Sequence, residues 1–144
     1  MSLKVAFRKL HPAAVLPSYA HEGDAGMDHS SVEEVTVPPH GRALVATGLA
    51  IELPLGTEAQ VRPRSGLAAK YGITVLNAPG TIDAGYRGEI KVILLNTDVA
   101  EFRVEPGMRI AQLVVAPVAQ VQVSWTEQLG ESDRGTSGFG SSGI

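Results

Sequence analysis

Short apolar alternations, each cut off by proline or glycine within a few residues, constrain this chain more than any other feature. Leu49, Ile51 and Leu53 alternate and stop at Pro54; Thr57, Ala59 and Val61 do the same up to Pro63. Leu3, Val5 and Phe7 open the series, and Val32, Val35 and Val37 run into Pro38-Pro39. Val114 to Val118, then Val121, Val123 and Trp125, close it. A period of two puts every second side chain on one face of a strand. Strands of this length, at this spacing and with turn residues between them, predict an all-β sandwich or barrel. Ile90, Val92 and Leu94 alternate while Ile93 and Leu95 are apolar too, which predicts a strand covered on both faces. Only Gly66 to Tyr71 reads as helical, and as a short piece.

From Gly130 onward the composition shifts to glycine, serine and charge. Such a segment cannot bury enough apolar surface to fold alone. The expected organisation is therefore one β domain over residues 1–129 and a flexible arm over residues 130–144. Within the β domain aliphatic side chains must fill the core, because aromatics make up only 5% of the chain. The absence of cysteine excludes disulfides, iron–sulfur clusters and thiolate-bound zinc. A net charge of −3 leaves no basic stripe for nonspecific nucleic-acid binding. No apolar run approaches a membrane span, and no basic region followed by an apolar block suggests a secretory signal. A soluble, cytoplasmic protein with neither nucleic-acid nor membrane partner is expected.

Several familiar catalytic patterns fail on context. Gly138-Phe139-Gly140-Ser141-Ser142-Gly143 has the glycine spacing of a dinucleotide loop, but it neither follows a βαβ strand nor opens a helix. No Walker A sequence and no GxSxG elbow occurs, and the four histidines are scattered rather than spaced as metal ligands. What remains is a set of polar clusters embedded in β-type sequence. In order they are Asp24-Ala25-Gly26-Met27-Asp28, Pro63-Arg64-Ser65-Gly66-Leu67-Ala68, Asn77 with Gly80 to Glu89, Gly107 to Leu113, and Arg134 to Gly143.

Together these clusters resemble the sequence motifs of the trimeric dUTPases, in the family's order and over nearly the whole chain. Each cluster alone is a weak signal: Pro-Arg-Ser-Gly is short, and Asp83-Ala84-Gly85-Tyr86-Arg87-Gly88 also reads as a plain hairpin with a solvated aspartate. The resemblance implies a jelly-roll-like β-clip fold with one short helix. It implies hydrolysis of dUTP to dUMP and pyrophosphate by water attack on the α-phosphorus, which lowers dUTP and supplies dUMP for dTTP synthesis. It also implies Mg²⁺ as cofactor and a homotrimer with sites shared between subunits.

Carried onto these residues, the resemblance makes Asp83 the general base, since a carboxylate can take the proton of the attacking water. Asn77, Gly80 and Ile82 would present polar groups to the uracil edge. Cytosine would then leave a buried polar group unpaired, which discriminates strongly. Tyr86 would lie against the deoxyribose and exclude a 2′-hydroxyl. Arg64, Ser65 and Gly66 would bind phosphate, the arginine through its planar fork; on residues alone they also fit a solvated strand end with a serine helix cap. Gln112 would contact phosphate or position the water, although its alternation with Ile110 and Val114 equally fits an ordinary strand. Arg109 reads as an ion-pair partner rather than a ligand. Asp28 would hold magnesium indirectly, through the metal's waters. His29 stands where the family usually has an apolar residue, and if Asp28 faces the site on a strand, His29 faces away. In the arm, Phe139 would stack on uracil, Arg134 would reach the γ-phosphate, and Gly140 and Ser141 would complete the contacts. The competing readings are a dCTP deaminase of the same fold, a noncatalytic nucleotide-binding regulator, and an unrelated β-sandwich interaction module.

Overall fold

The computed structural model describes residues 3–144; Met1 and Ser2, the first residues of the expected β domain, lie outside the described residues. The strands are β1 (Ala6–Lys9), β2 (Met27–Ser30), β3 (Val35–Val37), β4 (Arg42–Ala46), β5 (Leu49–Glu52), β6 (Thr57–Arg62), β7 (Ile73–Val75), β8 (Gly80–Ile82), β9 (Lys91–Asn96), β10 (Phe102–Val104) and β11 (Arg109–Pro117). One helix, α1 (Ser65–Tyr71), interrupts them. A four-stranded sheet runs β2-β11-β6-β8 and a three-stranded sheet runs β4-β9-β7, flanked by the pairs β1-β5 and β10-β3. Every pairing is antiparallel. One core draws Met27, Val61 and Leu113 from the larger sheet and Val45, Val92 and Leu94 from the smaller. Sheets that share one apolar filling form a sandwich. No sheet closes into a barrel among the described residues.

The alternations pick the buried face correctly in β5, β6 and β9. Thr57, Ala59 and Val61 are buried in β6, while Glu58 and Gln60 between them are half-buried. In β9 only one face is fully covered: Val92 and Leu94 are buried, but Ile93 and Leu95 remain partly exposed. That corrects the expectation of a strand covered on both sides. A second correction concerns Val121, Val123 and Trp125. They form no strand, and Trp125 is fully exposed. Their alternation is real, yet this chain offers them no neighbouring strand to complete the ladder.

Helix α1 starts from Arg64 in extended conformation with no side-chain cap. Ser65 is thus its first helical residue rather than its cap. The helix ends at Gly72, whose φ of 64° lets its N–H reach back to the carbonyls of Ala68 and Leu67. None of its residues is fully buried, so it rests on the sandwich rather than contributing to the core. No helix is long and apolar enough to cross a membrane among the described residues.

Candidate active site

Sheet geometry gathers the polar clusters into groups. On β2, Asp28 pairs across the ladder with Gln112 of β11, and the neighbouring His29 pairs with Ala111. Cross-strand partners share a face. Asp28 and Gln112 therefore stand on the partly open face, while His29 and Ala111 are both fully buried. This is the opposition expected for adjacent strand residues. Between Ala111 and Arg109 the register slips by one residue. The extra residue inverts side-chain parity. Ile110 joins Ala111 in the core, and Arg109 returns to the face of Asp28.

The Asp28 carboxylate consequently meets two arginines. Arg64 Nε lies 3.2 Å from Oδ1, and Arg109 Nη1 lies 3.4 Å from Oδ2. Arg64 also donates to the Arg109 carbonyl at 3.3 Å. Arg109 is the ion-pair partner its sequence position suggests. Gln112 donates from Nε2 to the Pro63 carbonyl at 2.9 Å, which ties β11 to the segment carrying Arg64 and Ser65. Gly26 explains how Gln112 fits: any Cβ at position 26 would collide with Gln112 Oε1. Ser65 and Gln112 line a shallow hollow of about 510 Å³ together with Ala78 and Pro79. The Ser65 hydroxyl is not used to cap the helix.

A second group surrounds β8. Asn77, Gly80, Ile82, Asp83 and Tyr86 line one cleft of about 560 Å³. β8 pairs with β6 on one side only and ends its sheet, so its outer backbone N–H and C=O groups face this cleft without strand partners. Gly80 accommodates the Asn77 side chain, whose Nδ2 would sit 3.2 Å from a Cβ there. Asp83 is exposed, and the ion pairs of the described residues run through Asp28, Glu34 and Glu105 instead. Tyr86 donates from its hydroxyl to the Glu89 carbonyl at 2.9 Å, folding its ring back over Gly88. The opposite wall comes from Leu44, Lys91 and Ile93 on β4 and β9. Sequence reading missed these three, because no local motif marks them; only strand pairing brings them here.

The two groups do not share a cleft within one chain. The β8 cleft takes in Asn77 and Gly80, the Ser65 hollow takes in Ala78 and Pro79 of the same turn, and Asp83 and Arg64 line separate depressions. Arm residues stand apart from both. Arg134 Nε donates to the Ser137 carbonyl at 2.8 Å, and Gly135 N–H donates to Ser132 Oγ at 3.1 Å. Phe139 is fully exposed with φ of 49°, and Gly140 and Ser141 beside it are exposed too.

No carboxylate joins Asp28 to make a metal cage; groups of three or more candidate ligands are absent among the described residues. One hard oxygen donor suits magnesium that keeps its waters and takes phosphate oxygens from a ligand. Asp28 alone makes no dedicated protein site, and its two oxygens are paired with Arg64 and Arg109.

Comparison with known proteins points one way. The family model described as dUTPase matches residues 13–143. The deoxyuridine 5'-triphosphate nucleotidohydrolase of Picosynechococcus is 56% identical over 94% of this chain and 95% of its own. That of Clostridium acetobutylicum is 56% identical over 100% of this chain and 98% of its own. Among solved structures, a variant dUTPase of Staphylococcus bacteriophage 80alpha with dUpNHpp superposes with a TM-score of 0.92 at 28% identity, covering 98% of this chain and 99% of that one. A variant dUTPase from phage phi11 of S. aureus, described with a structural Mg(II) ion, gives a TM-score of 0.81 at 25% identity, over 87% and 97% of the two chains.

Proposed function

This chain belongs to the dUTPase family and is a dUTP nucleotidohydrolase, and from that premise we propose how its own residues perform the reaction. Uracil enters the β8 cleft and pairs with the unpartnered backbone edge of Gly80 to Ile82, assisted by Asn77. An edge strand offers donors and acceptors in fixed alternation, which suits a planar base with its own ordered donor and acceptors. The Tyr86 ring lies against the sugar and leaves no room for a 2′-hydroxyl.

The triphosphate extends toward Arg64 and Ser65, with Gly66 leaving the approach free of a side chain. Arg64 offers a planar donor fork for phosphate oxygens, and the uncommitted Ser65 hydroxyl adds a further donor. Asp28 would hold Mg²⁺ through water, and the bound ion would neutralise charge developing on the phosphate oxygens. Gln112, fixed by Gly26 and the Pro63 carbonyl, orients the α-phosphate region or the attacking water. Asp83 accepts the proton of that water as its oxygen attacks the α-phosphorus and pyrophosphate leaves. Arg134 and Phe139 close over the γ-phosphate and base, with Gly140 and Ser141 in the closing segment, and water exclusion strengthens every charge interaction inside.

Support for a shared site comes from what one chain leaves undone. The base cleft, Arg64 and the Ser65–Gln112 pair line three separate depressions. Val121, Val123 and Trp125 expose an alternating apolar face, and Leu44 beside the cleft is 55% exposed. We therefore assign a homotrimer in which neighbouring subunits complete each site. We also assign it to the cytoplasm, where its nucleotide substrate would be met.

The observation that carries this reading is the placement of Asp83, Asn77 and Tyr86 in one cleft along an open strand edge. Pyrophosphate release measured side by side with dUTP, dTTP, dCTP and UTP tests it, with strong preference for dUTP expected. Asp83→Asn should abolish turnover and keep dUTP binding by calorimetry; an unchanged kcat removes Asp83 from its role. Ammonia release from dCTP would favour a deaminase instead.

A further inference from the structure

We infer that Glu89 is a positioning residue for Tyr86, so that sugar selectivity rests partly on a carboxylate anchored at a distant turn. The inference deepens the reading in which Tyr86 abuts the deoxyribose, and depends on it. Tyr86 is held from two sides. Its hydroxyl donates to the Glu89 carbonyl at 2.9 Å, and its ring lies so close over Gly88 that a Cβ there would approach the ring carbons within 2.6 Å. The ring's position is therefore set by where the Glu89 backbone sits.

That backbone is fixed by the turn between β4 and β5. Glu89 Oε2 accepts the Gly48 N–H at 3.0 Å. The following residue repeats the tie: Ile90 N–H donates to the Leu49 carbonyl at 2.7 Å, and the Ile90 carbonyl accepts from Thr47 Oγ1 at 2.6 Å. Gly48 is buried, so its N–H has no water to fall back on. Nor has the turn much room to shift. Gly48 holds φ of 69°, and a Cβ there would meet His11 at 2.8 Å, Val32 at 3.1 Å and Ala14 at 3.2 Å. A buried donor in a walled-in turn must find its acceptor in Glu89 or remain unpaired. Loss of the carboxylate leaves the hairpin leg held at Ile90 alone and loosens the adjoining residue whose carbonyl anchors Tyr86, while Asp83 at the other end of the hairpin keeps its place.

The test is kcat/KM for dUTP and for UTP, by pyrophosphate release, in Glu89→Ala, Glu89→Gln, Tyr86→Phe and Tyr86→Ala. Glu89→Ala should lower the dUTP/UTP ratio about fivefold, the scale of one lost hydrogen bond, through KM for dUTP with kcat nearly unchanged. Glu89→Gln, whose amide oxygen can still accept from Gly48, should restore the ratio. Tyr86→Phe should lower it by a similar factor, and adding Glu89→Ala to Tyr86→Phe should change it little further. A folded Glu89→Ala enzyme with an unchanged ratio, or one that loses both substrates equally, overturns the inference. If Glu89→Ala does not fold, Tyr86→Phe decides: an unchanged ratio overturns it. If Tyr86→Ala also leaves the ratio unchanged, the deoxyribose reading falls with it; if Tyr86→Ala relaxes selectivity and Glu89→Ala does not, only the inference falls.

Discussion

His29 shows what one polar side chain costs in an aliphatic core. It is fully buried on β2, and neither ring nitrogen has a partner. Burial lowers its pKa from the ordinary 6.5 to about 4. The folded protein thus keeps it neutral where the unfolded chain begins to protonate it. Its contribution is constant above pH 6.5 and is lost progressively as pH falls toward 4, amounting to roughly 3 kcal/mol across that window. His29→Leu fills similar space with no unpaired nitrogen. It should raise stability at pH 7 by about 1–3 kcal/mol and flatten the acid slope between pH 6.5 and 4, as read from urea unfolding at several pH values. A variant no more stable at either pH would show that His29 has partners supplied from elsewhere. On the opposite face, Gly26 protects Gln112 rather than a turn. Gly26→Ala should displace that glutamine and lower kcat about tenfold, with thermal stability little changed; a wild-type kcat would separate Gln112 from the reaction.

At the scale of elements, legibility followed length and partnership. β6 and β9, six residues each, carried enough alternation to be read. β7 and β10 have three residues each, one alternation apiece, and pass unnoticed until a partner strand defines them. β4 escaped because Ala43 and Ala46 blur its pattern and only Val45 is fully buried. The segment Val121 to Trp125 failed in the opposite sense: its pattern states which face is apolar but not which chain covers it. Site residues followed the same rule. Asp83 and Tyr86 lie within one hairpin that by itself reads as a plain turn, and only the resemblance singles them out, whereas Leu44 and Ile93 reach the cleft only through the pairing of β4 with β9. Composition marks the arm as unable to bury apolar surface, and none of its residues belongs to the core cluster. Truncation after Ser132 should therefore leave the melting temperature within about 2 °C of wild type. It should lower kcat for dUTP by about a hundredfold or more, because closure supplies both charge and water exclusion. Retained activity would reduce residues 133–144 to a tail.

For the whole molecule the decisive question is where the second half of each site comes from. One chain places Asp83 in the base cleft and Arg64 beside Asp28, in depressions that do not merge. If a neighbour supplies the missing half, two inactive proteins should repair each other. Consider Asp83→Asn and Arg64→Ala, each inactive alone, co-expressed in equal amounts and assembling at random. A site that takes residue 83 from one subunit and residue 64 from the next is intact when the first subunit carries Arg64→Ala and the second carries Asp83→Asn. Each condition holds half the time, so about one quarter of wild-type activity should return. Sites built within single chains would return none, since every chain then lacks one essential group. The recovered fraction also reads the assembly directly: it should vanish when the proteins are purified separately and mixed under conditions where subunits do not exchange. Activity near zero in the co-expressed sample, with mixed oligomers demonstrated by mass, would place both groups in one chain's site and require the base cleft and the Asp28 cluster to close onto each other.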